Sequence, residues 1–512
     1  MCKLCQARAG ATRRDFLKGT LAAGAGAMTG GGLLASANAS PSVATHGDEA
    51  RSEMPAHSGE TGRRVLIRGG HVLSMDDEVG DFAHGDVLIE GSRIVAVGAE
   101  LDAGDAEVID ARGRIVMPGF IDTHHHLFET ALRSFLADGI MYDDGTPEGS
   151  PNYMDHILGK LAPVYRPEDV YINELFGSLS QLDAGVTTVM DTSQIHHSPE
   201  HSDAALEGLR DSVRRSVFGY FEGQGEQSRY PQDARRIREQ YFATGEGLSA
   251  DGLMSMVMGG EIYLPDHEAA WALARELELP LAYHVVGSLG MAETFDELAA
   301  SGQLAENHIL IHMTGMSDMA WQAVRDAGAH VSLAVPIEMT MRHGTPPLMK
   351  TSELGILPSL SSDVECTMTA DFFTQMRSTL TLQRMFVNEL ALQGEEERPA
   401  LLTSREVIRY ATMGGAKGLR LEQRVGSLTP GKEADILLLD AEAINVAPLN
   451  NVPGAVVTLM ERSNVETVLV GGRIRKWRGH LLGADLPRLR DQLTASRDYL
   501  FEAAGVDRRL FD

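Results

Sequence analysis

The sequence predicts an α/β protein: a (β/α)8 TIM barrel joined to a small β-sandwich domain that is built from both ends of the chain. Two observations support this prediction. The middle of the chain alternates apolar, strand-like runs with amphipathic helical segments, and eight such strands are present. Short alternating strands separated by turn residues flank this region on both sides. The 512 residues are enough for both parts.

Composition indicates a soluble globular protein, because 43% of the residues are hydrophobic and 23% are charged. A formal net charge of −27 argues against a nucleic-acid partner, which would require a basic face, and suits a soluble protein that avoids anionic partners. The only cysteines are Cys2, Cys5 and Cys366, so a disulfide framework is not expected. Nothing in the sequence decides the oligomeric state, and a homo-oligomer stays open.

Residues 1–39 have the features of a secretory leader. Arg13 and Arg14 precede a weakly apolar, Gly- and Ala-rich stretch that ends in the small-x-small tripeptide Ala-Asn-Ala at Ala39. The paired arginines predict a Tat-type signal and therefore a periplasmic or secreted protein. The alternative is a membrane anchor, but the stretch is too weakly apolar for stable membrane insertion. Residues 40–63 are small and polar and are predicted to be a linker.

The remaining chain divides into four predicted segments. These are the first part of the sandwich (64–117), the barrel (118–420), the second part of the sandwich (421–486) and a solvated C-terminal helix (487–512). The eight candidate barrel strands span residues 115–124, 186–191, 216–222, 253–260, 279–285, 308–313, 330–335 and 356–363. Residues 139–166 lack a clean period and are predicted to form a loop over the active face of the barrel.

Three consecutive histidines lie at the end of the first candidate barrel strand, in the stretch IDTHHHLFET. Residues two apart in a strand point to the same side, so His124 and His126 can converge while His125 points away from them. The carboxyl end of a barrel strand is where barrel active sites are built. A His-x-His pair is weak evidence by itself, because paired surface histidines are common.

Polar residues at three other strand ends strengthen this evidence. His284 ends the fifth candidate strand, His312 the sixth and Asp363 the eighth. A single buried histidine at such a position is usually a hydrogen-bonded core residue. Four histidines and an aspartate at one rim are not explained in that way. Three imidazoles and a carboxylate are a suitable ligand set for zinc or iron, with one position left for water.

Several motifs resemble those of the amidohydrolase superfamily. PGFIDTHHHL resembles its opening motif, ATMGGAKGLRLEQRVGSLTPGKEADILLLD its closing motif, and VETVLVGGRIRK its last strands. Together with LIRGGHVLSM and DVLIEGSRIVAVG, the resemblance covers about residues 64–480. The long first loop and the order of the ligands are most similar to the triazine hydrolase and cytosine deaminase-like branch.

The resemblance implies a role for each residue at the rim. His124, His126 and His284 resemble the imidazole ligands, and Asp363 resembles the carboxylate that binds the metal and exchanges a proton with the attacking water. His312 resembles the histidine that polarises the substrate in one-metal members and binds a second metal in two-metal members. The chain is therefore expected to be an enzyme with one divalent metal ion or two, Zn or Fe. It would use a metal-activated water to cleave a non-peptide C–N bond in a small cyclic or amide substrate.

The chain departs from the branch at two positions. Many deaminases of the branch have a glutamate three residues after the fifth-strand histidine, where this chain has Gly287. A deaminase of a heterocyclic amine is therefore the alternative rather than the leading hypothesis. The fourth strand offers Glu261 and no lysine, so a carbamylated lysine between two metal ions is not expected. A binding protein without activity is disfavoured, because all five rim positions are filled.

Further polar residues follow the second, third and seventh candidate strands and are potential substrate contacts. They are Gln194, His196, His197, Glu222, Glu338, Arg342 and His343. Those after the second strand contact substrate or cap the helix that begins near Pro199. Glu222 is a metal ligand, a pocket wall or a carboxylate facing water. Arg342 pairs with a substrate carboxylate or lies on the surface.

Overall fold

A computed structural model describes residues 54–508, 510 and 511. The predicted leader, and residues 40–53 of the predicted linker, lie outside the described residues. Within the described part of the chain, no helix is long and apolar enough to cross a membrane.

The secondary structure confirms the predicted α/β class. The strands are β1 (Arg64–Val72), β2 (Phe82–Glu90), β3 (Arg93–Gly98), β4 (Glu107–Asp110), β5 (Arg114–Pro118), β6 (Phe120–His125), β7 (Val186–Ser193), β8 (Arg215–Tyr220), β9 (Met254–Gly259), β10 (Leu281–Val286), β11 (His308–Thr314), β12 (His330–Leu333), β13 (Ser359–Leu360), β14 (Ile436–Asp440), β15 (Val465–Val470), β16 (Arg473–Trp477) and β17 (His480–Leu481). The α-helices span Pro167–Asp183, Pro199–Asp211, Ala234–Tyr241, His267–Glu276, Ala292–Ala300, Asp318–Ala327, Val335–Thr340, Leu348–Leu354, Phe372–Gln393, Ser404–Arg409, Gly415–Gly418, Val452–Thr458 and Leu486–Ala504. Short 3-10 or π-helical segments span Leu127–Leu132, Pro147–Gly149, Tyr153–Leu161, Ala162–Val164, Gly287–Leu289, Tyr410–Gly414 and Arg462–Asn464.

Both ends of the described chain contribute to one nine-stranded sheet. Its order is β17-β16-β15-β14-β5-β1-β2-β3, with β4 pairing beside β1. The antiparallel pair of β5 and β14 joins the two halves. Side chains alternate along β14: Ile436 and Leu438 pack into the core between the two halves, and Leu437 and Leu439 pack toward the barrel helices. The predicted sandwich is therefore one continuous sheet.

The other eight strands, β6 to β13, are parallel and lie in chain order, which confirms the barrel. The last and first strands are joined by a single bridge between His125 and Asp363 instead of a long ladder. The Asp363 amide donates to the His124 carbonyl at 3.0 Å, and the His126 amide donates to the Asp363 carbonyl at 2.8 Å. This closure places the His-x-His motif directly beside Asp363.

Two predicted barrel strands differ from those in the structure. The run 115–124 is divided between β5, in the outer sheet, and β6, in the barrel. The division falls at Gly119, where an added Cβ would lie 2.1 Å from Thr187 Oγ1. The eighth strand, predicted over 356–363, is only β13. Asp363 lies beyond its end with φ 60°, a conformation that a strand does not have.

The segment 139–166 and the C-terminal helix are more structured than the sequence predicts. The predicted loop contains three short helical segments, the longest being Tyr153–Leu161. Leu486–Ala504 is not solvated all round, because Leu489, Leu500 and Phe501 are buried. The Phe501 ring lies 5.1 Å from that of Phe135, so this helix covers the segment that follows the first barrel strand. The sequence predicts a fully solvated helix because the apolar stripe on its buried face is narrow and lies among many charged residues.

Candidate metal centre and cavity

The closed barrel brings the predicted rim residues together. His124 Nε2 lies 3.1 Å from Asp363 Oδ1, and His126 Nε2 lies 3.6 Å from the same oxygen. His312 Nε2 lies 3.6 Å from Asp363 Oδ2. The ring of His284 is 4.9 Å from that of His124. His284 is the most accessible of the five, with 13% of its side chain exposed.

Three of the four imidazoles are held at Nδ1 by a second side chain. The contacts are His124 Nδ1 with Thr192 Oγ1 at 2.7 Å, His284 Nδ1 with Glu261 Oε1 at 2.6 Å, and His312 Nδ1 with Glu338 Oε1 at 3.1 Å. Such contacts fix the orientation of a ring, leave Nε2 free toward the centre and raise the basicity of a metal ligand. The sequence singled out Glu261 only as a residue in place of lysine. Its function as the partner of His284 became evident only in the fold.

The electrostatics keep His124, His312 and Asp363 in the forms that bind metals, whereas His284 would release a proton when it binds one. Burial lowers the pKa of both His124 and His312 to about 4, so their imidazoles are neutral near pH 7. For Asp363 burial opposes ionisation, but His124 and the other histidines hold its pKa well below the usual range. Burial also acts to lower the pKa of His284, yet the neighbouring Glu261 carboxylate outweighs it and the pKa is raised. Neutral imidazoles and an ionised carboxylate are the ligand forms that a divalent cation requires.

The donor set fits a divalent metal ion. The ligand atoms of His124, His126 and Asp363 lie within 4.8 Å of one another, as do those of His124, His284 and His312. His126 Nδ1 and Asp363 Oδ2 are buried without a hydrogen-bond partner. Buried polar atoms are normally hydrogen-bonded, so nitrogen and oxygen lone pairs left unpaired in such a cluster indicate a site for a cation. The structure thus brings together the predicted metal ligands.

A cavity of about 600 Å³ opens above this cluster, with His126, His284, His312 and Asp363 in its wall. Most of the other lining residues are apolar or aromatic: Met141, Tyr142, Tyr153, Met154, Leu158, Leu264, Leu289, Met291, Ile337, Met341 and Val364. The polar ones are Gln194, Glu222, Gln224, Tyr263 and His343. Among the described residues, no Lys or Arg lines this cavity. Such a wall favours a neutral, largely apolar ligand over an anionic one.

Glu222 lies on the cavity wall, two residues beyond the end of β8. Gln194 Nε2 donates to Glu222 Oε1 at 2.9 Å, and the Tyr263 hydroxyl donates to the same oxygen. Burial raises the pKa of Glu222 to about 7, and the nearby Glu261 carboxylate adds to this effect. The sequence left open whether Glu222 is a metal ligand, part of the pocket wall or a carboxylate facing water. Its position in the structure favours the pocket wall.

Four other candidates are not among the lining residues of the cavity: Glu338, His196, His197 and Arg342. Glu338 is buried behind His312, where its carboxylate also accepts from the Ala334 amide at 2.9 Å. His196 is buried against Phe218 and Tyr220, and its Nδ1 lies 2.9 Å from Ser202 Oγ in the following helix. The structure therefore favours the helix contact for His196, because the side chain turns toward the helix rather than the barrel axis.

Arg342 is exposed beside the cavity mouth and forms an ion pair with Asp144. Asp144 belongs to the segment after the first barrel strand, so this pair links two of the loops that surround the cavity. Of the two alternatives for Arg342, the structure favours a surface position over a pair with a substrate carboxylate. The guanidinium pairs with a carboxylate of the chain itself.

His125 points away from the centre, as expected, but its ring is fully buried. Its Nδ1 lies 2.9 Å from Ser362 Oγ. Asp122 accepts from the amides of Ser362 and His124, each at 3.2 Å, and from Gln181 Nε2 at 2.8 Å. Asp122 thus holds the backbone of the His-x-His motif. The signal in the sequence was an aspartate two residues before His124 within an apolar run.

Gly287 stands at the position where many deaminases of the similar branch have a glutamate. An added Cβ there would lie 3.0 Å from the Gly315 carbonyl oxygen and 3.2 Å from that of Thr314. Backbone atoms cannot move aside as a flexible side chain can, so a larger residue would crowd the turn after β10. The close backbone packing at this turn therefore disfavours a glutamate at position 287.

Known proteins resemble this chain over most of its length. The sequence matches the Amidohydrolase family over residues 115–475, well over half of the chain. It is 25% identical over 432 residues to 5'-deoxyadenosine deaminase of Methanosarcina mazei, covering 80% of this chain and 92% of that protein. It is 26% identical over 438 residues to 5-methylthioadenosine/S-adenosylhomocysteine deaminase of Symbiobacterium thermophilum, covering 80% and 93%.

Solved structures share the fold. A zinc-bound adenosine deaminase from Xanthomonas campestris superposes with a TM-score of 0.73 at 20% identity, over 86% of this chain and 99% of that one. Atrazine chlorohydrolase from Arthrobacter aurescens, in complex with zinc, gives a TM-score of 0.73 at 22% identity, over 85% and 100%. The chain therefore belongs to the amidohydrolase family, and it is a metal-dependent enzyme that hydrolyses carbon–nitrogen bonds other than peptide bonds.

Proposed function

We propose that this chain uses one zinc ion, held by His124, His126, His284 and Asp363, to hydrolyse a C–N bond in a small, neutral cyclic or amide substrate. The observation that carries the proposal is the convergence of these four side chains at the 600 Å³ cavity, whose wall includes His126, His284 and Asp363. Zinc is chosen over iron because the set is rich in imidazole and because two structural neighbours carry zinc.

The residues of the site have different roles in the proposed reaction. A zinc ion bound here would lower the pKa of its water to roughly 7 and so supply hydroxide at neutral pH. The Asp363 carboxylate takes the proton of the attacking water and passes it to the leaving nitrogen. His312, held in place by Glu338, orients the substrate above the floor of the cavity. The methionine- and leucine-rich wall excludes water from the rest of the substrate.

A second candidate function is deamination of a heterocyclic amine. It is supported by the similarity to adenosine-type deaminases. It is also supported by Glu222, a carboxyl group on the cavity wall whose pKa burial raises to about 7. Such a group can hold a proton for a ring nitrogen although Gly287 replaces the glutamate of the branch.

Metal analysis of the purified protein, combined with a substrate panel, tests the proposal. We expect about one zinc per chain, and we expect His124→Ala to lose both the metal and the activity. His84→Ala is the matched control, because His84 is an exposed histidine of the outer sheet. A metal-free protein with full activity would contradict the proposal.

The same panel distinguishes the two candidate reactions. Release of ammonia from purines, pyrimidines or triazines would indicate deamination. Turnover of lactams or amides, without ammonia release from the heterocycles, would indicate the leading reaction.

We also propose that the chain is exported by the Tat route, from the paired arginines and the small-x-small tripeptide in residues 1–39. Replacing Arg13 and Arg14 together by lysine is expected to keep the folded enzyme in the cytoplasm. Cell fractionation measures this outcome, and unchanged export of the double variant would contradict it.

A further inference from the structure

Three polar side chains of the cavity wall are hydrogen-bonded to one another. Gln194 Nε2 donates to Glu222 Oε1 and to the Tyr263 hydroxyl oxygen, each at 2.9 Å, so both hydrogens of the Gln194 amide are used. The Tyr263 hydroxyl donates in turn to Glu222 Oε1. In the described part of the chain, Glu222 Oε2 has no hydrogen-bond partner. The cluster therefore leaves one carboxylate oxygen for a substrate.

Two further polar residues of the wall are also bound to the chain itself. The Tyr153 hydroxyl donates to Glu129 Oε1 at 2.6 Å, and Gln224 Nε2 donates to the Leu158 carbonyl oxygen at 3.1 Å. A substrate hydroxyl would have to replace these hydrogen bonds, and such an exchange stabilises a complex little. The wall beyond the metal centre is therefore poorly suited to a substituent with several hydroxyl groups, such as ribose.

The greater part of the wall is apolar and adaptable in shape. Its methionine and leucine residues are Met141, Met154, Met291, Met341, Leu158, Leu264 and Leu289. Methionine side chains are flexible and polarisable, so they can pack against apolar groups of different shapes. An alkyl or aryl group in contact with this wall loses its contact with water and stabilises the complex in proportion to the area buried.

The size of the cavity requires more than a bare ring or a primary amide. Its volume of about 600 Å³ lies within the range of sites that hold drug-sized ligands. Tyr142 and Tyr263 line the cavity and are each 44% exposed, so they mark its mouth. Apolar surface therefore extends from the metal centre to the opening, along the path that a substituent of the substrate would follow.

We propose that the substrate carries an extended apolar substituent, alkyl or aryl, on the polar head that contains the scissile C–N bond. In the same position the cavity disfavours a ribosyl or other polyhydroxylated substituent. Glu222 Oε2 is the polar anchor outside the metal centre and accepts a hydrogen bond from an N–H of the head. This inference rests on the proposed function, because the metal centre holds the head, and it applies to both candidate reactions.

A series of alkyl hydroxamic acids tests the substituent without any turnover. The hydroxamate group binds zinc through its oxygen atoms, so the alkyl chain extends into the cavity. Isothermal titration calorimetry on the zinc-loaded full chain measures the affinity for acetohydroxamic, butyrohydroxamic and hexanohydroxamic acid. We expect the affinity to rise by about fourfold per added methylene group, which is about 100-fold or more over the series.

Gluconohydroxamic acid is the matched polar probe. Its chain has the same length as that of hexanohydroxamic acid but carries hydroxyl groups. We expect it to bind no more tightly than acetohydroxamic acid, because the polar groups of the wall are already hydrogen-bonded.

A variant of the wall locates the contact. Leu289 is partly buried and lines the cavity, so Leu289→Asn is expected to weaken binding of hexanohydroxamic acid by roughly tenfold and to leave binding of acetohydroxamic acid unaltered. Leu304→Asn is the matched control. Leu304 is also a partly buried leucine, but it packs on the outside of the cavity wall and should leave both affinities unaltered.

Three results would overturn the inference alone. They are an affinity that does not depend on chain length, gluconohydroxamic acid that binds as tightly as hexanohydroxamic acid, and a Leu289→Asn variant that binds hexanohydroxamic acid as the wild type does. A chain that binds neither zinc nor acetohydroxamic acid would instead overturn the proposed function, and with it the inference that rests on it. The two failures are therefore distinguishable.

Discussion

Two buried polar clusters lie at opposite ends of the barrel and differ in how completely they are paired. At the amino-terminal end, Arg215 Nη2 lies 2.6 Å from Glu433 Oε2, and Arg215 Nε lies 3.0 Å from Asp435 Oδ2. At the carboxyl-terminal end, His126, His343 and Asp363 each have a buried atom without a partner. The first cluster satisfies its own charges, while the second keeps lone pairs available for a cation.

The difference in pairing between the two clusters follows from where each lies in the fold. Arg215 begins β8, and its two carboxylate partners directly precede β14, so the paired cluster fastens the barrel to the outer sheet. The open cluster lies where the strands end and the loops begin, which is where a ligand can enter. Burial of charge therefore does not by itself indicate a functional site, and the pairing of that charge has to be examined.

The largest effect is expected from opening the paired cluster. Arg215→Met should lower the free energy of unfolding by about 3–5 kcal/mol, since Asp435 would remain buried without its cation. Denaturant unfolding measures this change, and metal stoichiometry of the folded fraction should be unaltered. Arg112→Met is the control: its pair with Asp110 is exposed, so the free energy of unfolding should change far less. Equal effects for the two variants would contradict the distinction.

A smaller effect is expected from loosening a ligand of the open cluster. Glu261→Gln removes the carboxylate that holds His284 Nδ1 at 2.6 Å, and it should weaken zinc binding by roughly 10- to 100-fold. Competition with a chelator of known affinity measures the change. Glu268→Gln, an exposed glutamate of the helix His267–Glu276, should leave the affinity unaltered. An unchanged affinity in Glu261→Gln would show that the His284 ring is held by packing alone.

The smallest effect near neutral pH concerns His330, a buried histidine that lies outside the metal centre. Burial lowers its pKa to about 3, with Lys417 adding to the effect, from an ordinary value of 6.5. Below pH 6.5 the unfolded chain therefore binds a proton that the folded chain does not. This contribution to stability is full above pH 6.5 and is lost as the pH falls toward 3, by about 1.4 kcal/mol per pH unit.

Comparison of the wild type with His330→Gln isolates this contribution, because the other titrating groups are common to both proteins. The stability of the wild type relative to the variant should decrease between pH 7 and pH 5. Parallel stability curves over that range would show that the His330 ring is protonated in the folded state or solvated there.

Much of the site was predictable from local sequence. His124, His126, His284, His312 and Asp363 each follow an apolar run, and parallel barrel strands must bring their carboxyl ends to one rim. Their partners were not predictable in the same way. Glu261 and Glu338 lie outside any motif that signals their contacts with His284 and His312, and both are meaningful only once neighbouring strands are placed.

By itself, the sequence determined the class of the protein: the alternation of strands and helices, the rim of metal-binding side chains, and the sheet strands at both ends. These follow from periodicity and from residue type, which are local properties. Only the tertiary structure decided which polar residues remain unpaired. Pairing depends on distances between side chains far apart in the chain, such as His343 to His312 and Arg215 to Asp435, and no local pattern contains those distances.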